Sequence, residues 1–158
     1  MSEISKMNIK FKEIDITNYQ KCIDLKLSEE QNKFVASNMF SLVQAAYEPN
    51  LYPLGIYNEN IMIGFILYDF DVELKGWSMS RFMVDVKYQN QGMGKVALQK
   101  FMKFILNKYG HIQLYTSAEV DNPVAIALYS KLGFEKKEVF KYESGGRTYK
   151  EVRMIAQL

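Results

Sequence analysis

The stretch that decides the fold is Arg81-Phe82-Met83-Val84-Asp85-Val86-Lys87-Tyr88-Gln89-Asn90-Gln91-Gly92-Met93-Gly94. An apolar run gives way to a polar turn with two glycines, and a helical pattern starts at once. Glycine lets the main chain adopt conformations closed to other residues and lets a ligand come close. The first N–H groups of the following helix have no intrahelical partner and point at any arriving anion. Backbone alone therefore makes a phosphate site at this place in the chain.

Working outward, Trp77–Val86 reads as the strand that enters the turn, and Gly94–Tyr109 as the helix that leaves it. In that helix Ala97, Phe101, Phe104 and Ile105 recur at helical spacing, opposite Gln99, Lys103 and Asn107, and Gly110 supplies a stop. Upstream, Ile9–Ile14 reads as a first strand. Helical segments follow near Asn18–Leu27 and within Glu29–Tyr47. Tyr52–Tyr57 and Ile61–Asp69 form a hairpin across Asn58-Glu59-Asn60. Downstream, Ile112–Ser117 is a short strand. Asn122 caps a helix with Pro123 in its first position, ended by Gly133. Phe134–Tyr142 and Arg147–Ile155 bracket Ser144-Gly145-Gly146 as a closing hairpin. The expectation is an α/β (α+β) chain with six to seven strands, mostly antiparallel, flanked by about four helices.

Composition sets the outer limits. The 158 residues read as one domain spanning 1–158, with 48% hydrophobic and 14% aromatic content, which argues against disorder. A single cysteine, Cys22, excludes an internal disulfide framework and a cysteine-rich zinc site, and no metal is expected. Met1–Lys12 has no apolar core of signal-peptide length, and the longest apolar run, Ile61–Tyr68, is too short to span a bilayer. A cytoplasmic protein with no membrane contact is expected. Net charge is +2, and Lys95, Lys100, Lys103 and Lys108 read as a solvated helix face, so no nucleic-acid partner is expected.

Three phosphate chemistries compete for the glycine turn. A Walker-type loop needs Gly-Lys-Ser/Thr, whereas Gly94-Lys95 is followed by Val96. A dinucleotide fingerprint is matched formally by Gly92-x-Gly94-x-x-Ala97, with Glu119 as its acid. The polar spacer Lys87–Gln91 is too long for that tight turn, and too little chain follows for a second nucleotide-binding half.

The third reading absorbs more residues. Gln89-x-x-Gly92-x-Gly94, directly after Phe82-Met83-Val84, resembles the acyl-CoA pyrophosphate motif of the GNAT superfamily of N-acetyltransferases. The stretch Asn122-Pro-Val-Ala125-Ile-Ala-Leu-Tyr129-Ser-Lys-Leu-Gly133-Phe134 resembles that family's second signature. The strand and helix order is similar to the family's as well. The resemblance implies acetyl-CoA as donor, with the main-chain N–H groups of Gln91, Gly92, Met93, Gly94 and Lys95 on its pyrophosphate. It implies Phe82, Met83 and Val84 pairing with the pantetheine amides as an added strand would, and Asn122 and Ala125 along the pantetheine arm. Tyr129 would stand beside the sulfur and protonate the leaving thiolate; outside this motif it would read as a core aromatic.

Direct transfer to an amine in a ternary complex needs no protein nucleophile, and Cys22 reads as a small buried hydrophobe. His111, after the helix stop, reads as a loop-edge residue. An amine with a pKa near that of lysine arrives charged, so the site wants carboxylates and an outlet for a proton. Glu29 and Glu30 form one acidic group; Asp69, Asp71 and Glu73 form another, on one side if that segment stays extended. For any single residue of the second group, a solvated loop at the sheet rim is the stronger reading.

At whole-chain level the sequence resembles the bacterial spermidine/spermine (diamine) N-acetyltransferases through Ser28–Val35, Tyr52–Tyr57 and Asp85–Gln89. The acceptor implied is a polyamine. Ser80 departs from that pattern, because some polyamine acetyltransferases carry an acidic base there. Asp85 is a weaker candidate base. Acetyl transfer to another amine, and a non-catalytic acyl-CoA-binding module, stay open beside the polyamine. Phe140, Tyr142 and Tyr149 suit either a core or a homodimer interface.

Overall fold

A computed structural model describes residues 7–158; residues 1–6 of the Met1–Lys12 segment discussed above lie outside the described part. Strands β1 (Ile9–Glu13), β2 (Leu51–Asn58), β3 (Ile61–Asp71), β4 (Gly76–Val84), β5 (Gln113–Glu119), β6 (Glu135–Ser144) and β7 (Arg147–Gln157) form one sheet. Helices are α1 (Tyr19–Asp24), α2 (Glu29–Asn32), α3 (Asn38–Tyr47), α4 (Met93–Tyr109) and α5 (Pro123–Lys131), with a 3-10 turn at Val86–Tyr88. The sheet order is β1-β2-β3-β4-β5-β7-β6, antiparallel except where β4 and β5 run parallel.

Among the described residues five helices stand where about four are expected, because Glu29–Tyr47 holds two of them. Ser28 and Gln31 close a capping box on α2, and the Ser37 side chain accepts from the Phe40 N–H to start α3. Each serine offers the backbone a local alternative to continuing a helix.

Two apolar clusters sandwich the sheet. On one face Ala97, Leu98, Phe101 and Ile105 of α4 and Tyr129 of α5 pack on Ile56, Ile66, Tyr68, Leu114 and Met154. On the other, Cys22 of α1 and flanking Leu42 of α3 meet Tyr57, Phe65, Leu67 and Met83. Successive residues of β3 go to opposite clusters, the period of two that a doubly covered strand requires.

The parallel seam positions the site. β4 and β5 pair only at Trp77↔Leu114, Ser78↔Tyr115 and Met79↔Thr116, then separate for the rest of their length. The cause is a β-bulge: Leu67 faces Arg81 and Tyr68 faces Met79, leaving Ser80 as the extra residue of β4. A bulge bends its strand and raises its twist, which turns the rest of β4 away from β5. At the fork the Thr116 hydroxyl donates to the Met79 carbonyl at 2.9 Å, closing the last polar group of the seam. Behind it, Trp77 stacks on Tyr109 with centroids 3.9 Å apart, and Tyr52 stacks on Tyr68 at 5.1 Å.

Candidate active site

One wall of the fork is backbone. Gly92 caps α4 with φ 80°, and Asn90 before it has φ 62°, both left-handed. No side chain caps α4 and no acid stands in its first turn. The first intrahelical bond is Val96 N–H to Gly92 carbonyl, so the N–H groups of Gly92, Met93, Gly94 and Lys95 have no intrahelical acceptor. Exposed Lys95 adds a cation where the helix dipole disfavours one, an arrangement an arriving anion relieves. A Cβ on Gly94 would stand 3.8 Å from both Phe82 Cζ and Val84 Cγ2, ordinary contact. Packing therefore does not demand glycine there. These features fit a pyrophosphate.

The side chains of Gln89 and Gln91 brace this turn. Gln89 donates to the Val84 carbonyl at 2.8 Å and exchanges hydrogen bonds with Gln31 of α2 at 3.0 Å. Gln91 reaches back to the Lys87 carbonyl at 3.3 Å. Asp85, 2% exposed, accepts from the backbone N–H groups of Lys26 and Lys87, each at 2.9 Å. It is a pin for the turn, which removes it as a base. Beyond Met79, β4 has no strand partner on the β5 side, so the edge at Phe82, Met83 and Val84 opens onto the fork.

Across the fork, Asn122 Oδ1 caps α5 through the Ala125 N–H at 3.2 Å, leaving its amide nitrogen for a ligand. Tyr129 is 7% exposed and lies against Phe134, centroids 5.7 Å apart. Burial pushes its phenol above the ordinary range; the Glu151 charge adds to this, and the Thr116 side chain opposes it. Cys22 is fully buried, and desolvation holds its thiol up at about 12, so it is no thiolate nucleophile. His111 is exposed and bonds the Leu158 carbonyl through Nδ1 at 3.1 Å.

The other wall is built from side chains on the β-face away from α4. The Ser80 hydroxyl donates to Asp69 Oδ1. Burial raises the Asp69 carboxyl above its usual range, against the Ser80 hydrogen bond; Asp71 adds to the rise and Arg81 opposes it. Glu151, 7% exposed, accepts from Ser117 and Tyr142, each at 2.6 Å. Glu119 pairs with Arg147 at 3.0 Å, and Arg147 also bonds the Lys33 carbonyl, tying the α2–α3 connection to the last hairpin. Arg81 bonds Gln44 of α3 at 2.7 Å and lies over Phe40. Phe140, Tyr142 and Tyr149 lie outside both core clusters as a stacked row, with centroids 5.9 and 5.0 Å apart.

The structure separates the predicted acids. β3 ends at Asp71, whose Oδ1 accepts from Glu73 and Leu74 N–H, so the chain turns and Glu73 leaves the face that extended spacing assigned it. Glu29 and Glu30 sit exposed in the first turn of α2, where the helix dipole favours acids. Glu151 is the residue that sequence reasoning missed. Alternation of Tyr149, Glu151 and Arg153 along β7 puts it on this face, but only the pairing with β5 and β6 shows its partners.

Among the described residues, no helix is long and apolar enough to cross a membrane, and no group of His, Cys, Asp or Glu could hold a metal ion. A curated relative is the spermine/spermidine N(1)-acetyltransferase of Bacillus subtilis (strain 168), 29% identical over 136 residues, which are 82% of this chain and 89% of that protein. In fold, the chain matches the Vibrio cholerae spermidine N-acetyltransferase in complex with CoA and spermine, with TM-score 0.72, 13% identity and 94% and 95% of the two chains covered. It also matches a ribosomal L7/L12 alpha-N-protein acetyltransferase in complex with coenzyme A, with TM-score 0.73, 13% identity and 95% and 94% covered. The family model described as the acetyltransferase (GNAT) family matches residues 17–134, most of the chain: the chain belongs to that family.

Proposed function

We propose that the chain transfers an acetyl group from acetyl-CoA to a primary amine of a polyamine, of the spermine or spermidine class, by direct attack in a ternary complex. The observation that carries this reading is the contrast across one fork. Unpaired backbone donors stand at the head of α4, and carboxylates with stacked aromatic faces line the opposite wall. A polyamine is a chain of ammonium groups and methylenes. Carboxylates of Asp69, Glu119 and Glu151 suit the first, and the faces of Tyr142 and Tyr149 suit both. Asp71 and Glu73 lie on the β3–β4 turn, and Glu29 and Glu30 stand exposed on α2.

In this reading the N–H groups of Gln91 to Lys95 hold the pyrophosphate, the edge of Phe82–Val84 pairs with the pantetheine amides, and Asn122 and Ala125 guide the arm. The charged amine first loses a proton; its lone pair then forms the C–N bond to the acetyl carbonyl, and the C–S bond breaks. Tyr129, held protonated by burial, gives its proton to the departing sulfur and recovers one from the nitrogen. Overall, ammonium and thioester become amide, thiol and one released proton.

Arg81 and Arg147 on the same wall favour a second reading, a peptide N-terminus whose carbonyls or carboxylates those cations would receive. Free-thiol release from acetyl-CoA with spermine, spermidine, a diamine and an N-terminal peptide separates the two. Saturable release with the polyamines alone is expected. Release with the peptide alone would replace the polyamine, and tight acetyl-CoA binding without release to any amine would remove the transferase reading.

A further inference from the structure

We propose that Ser80 and Asp69 form the proton outlet of this reaction, the Ser80 hydroxyl taking the acceptor amine's proton as it passes its own to the Asp69 carboxylate. The inference rests on the acetyl-transfer reading above and identifies the base that Ser80 seemed to have removed. A serine alone is too weak an acid–base group at neutral pH. A serine hydrogen-bonded to a carboxylate on the neighbouring strand carries that carboxylate's basicity to its own oxygen.

Position is the first argument. Ser80 is the bulged residue of β4, exposed, and the first residue past the last β4–β5 pair, Met79↔Thr116. There the Thr116 hydroxyl donates to the Met79 carbonyl at 2.9 Å. Ser80 therefore stands at the mouth of the fork, next to the last β4–β5 pair. Asp69, whose register partner is Ser78, lies one strand further back and reaches Ser80 across the bulge. The bulge is what aims Ser80 at Asp69 and at the fork together.

Elimination is the second. Four other carboxylates near the fork are already engaged. Glu151 accepts from two hydroxyls, Glu119 is paired with Arg147, Asp71 caps the β3–β4 turn, and Asp85 accepts from two backbone N–H groups. Asp69 accepts from Ser80, and burial keeps its carboxyl above the usual range, closer to the pH at which a base must work. The charges that face it are Asp71 on its own strand and Arg81 on β4. Arg81 is itself faced by Glu48 at the end of α3 and by Tyr142 and Tyr149 of the last hairpin.

The step balances. An N–H bond of the ammonium breaks as the Ser80 Oγ–H forms, and the original Ser80 O–H breaks as Asp69 becomes a carboxylic acid. The freed lone pair forms the C–N bond, and Asp69 later returns its proton to water. No oxidant, metal or further reactant is involved.

The test compares wild type, Asp69→Asn, Ser80→Ala and Asp69→Asn/Ser80→Glu, reading kcat and KM from about pH 6 up to about pH 10, where a free amine titrates, alongside acetyl-CoA affinity by calorimetry. For Asp69→Asn, kcat is expected to fall about 100-fold at neutral pH with acetyl-CoA affinity unchanged. The loss shrinks at high pH, where the amine arrives already neutral. Ser80→Ala, an exposed truncation outside the core, is expected to show the same pH signature at about tenfold. The Ser80→Glu replacement restores about tenfold or more in the Asp69→Asn background. Asp69→Asn that keeps kcat and its pH profile while raising only the amine KM would overturn the relay and leave Asp69 as a charge that attracts the acceptor. Wild type inert toward every amine would instead defeat the transferase reading itself, so the two failures are told apart by the wild-type control.

Discussion

The head of α4 and the polar wall made by β3, β5 and the last hairpin face the same fork, but they are specified in different ways. The first needs only neighbours in sequence: a strand, a left-handed Gly92, and an uncapped helix. Its chemistry is backbone chemistry, so side chains matter mainly by being absent. The second is assembled from contacts between distant residues, Ser80 with Asp69 and Ser117 and Tyr142 with Glu151. Anion binding can thus be carried by a short motif, whereas acceptor choice is spread over the fold.

In the acetyl-transfer reading Tyr129 serves both, and its loss should have the largest effect. Tyr129→Phe keeps the ring against Phe134 and removes only the proton donor, so kcat is expected to fall about 100-fold while acetyl-CoA affinity holds. Stopped-flow thiol release and calorimetry on one preparation check both halves. Unchanged kcat would return Tyr129 to the core and leave the two walls with no shared chemistry.

The glycine turn gives the next test, because its two glycines do different jobs. Gly92 has φ 80°, so Gly92→Val forces a β-branched side chain into left-handed backbone at about 1–2 kcal/mol. For a chain of this size that corresponds to a thermal midpoint lowered by about 2–8 °C. Gly94 lies inside α4 with room for a methyl group, so Gly94→Ala should raise stability by about 0.5–1 kcal/mol. The same methyl meets the approaching pyrophosphate and should weaken acetyl-CoA binding roughly tenfold. A Gly94→Ala variant that gains stability and keeps its affinity would show that no ligand comes close at that residue.

This division explains what was legible in the chain. Helix α4, the glycine turn before it, the Asn122–Pro123 start of α5, its left-handed Gly133 and the order of the strands rest on local periodicity and turn chemistry, and the structure agrees with them to within a few residues. The break between α2 and α3 was missed because Ser28 and Ser37 act as caps only when their side chains turn back on the main chain. The grouping of Asp69, Asp71 and Glu73 failed at the end of β3, where Asp71 folds the chain onto its own carboxylate. The bulge at Ser80 could not be read locally at all, since it exists only as a mismatch of register with β3. Residues whose roles are set by a partner strand leave little trace in a single sequence.

The smallest expected effects come from the acidic residues themselves, and they sharpen the comparison by separating buried from exposed charge. Glu151 lies 7% exposed beneath the aromatic row, where water screens it poorly. Glu151→Gln keeps a hydrogen-bonding side chain of the same shape between Ser117 and Tyr142 while removing the charge. The amine KM is therefore expected to rise about fivefold, close to 1 kcal/mol, with kcat and acetyl-CoA affinity little altered. Glu29 and Glu30 are exposed on α2, and an exposed charge contributes about 0–1 kcal/mol and fades with salt. Their double change to Gln should shift the amine KM by less than about twofold, and the shift should vanish in high salt. The opposite ranking, with the α2 pair dominating, would move the acceptor to the outer surface near Gln31. It would make the buried wall around Glu151 a structural support for the fork, and amine titrations at low and high ionic strength on the two variants decide between these arrangements.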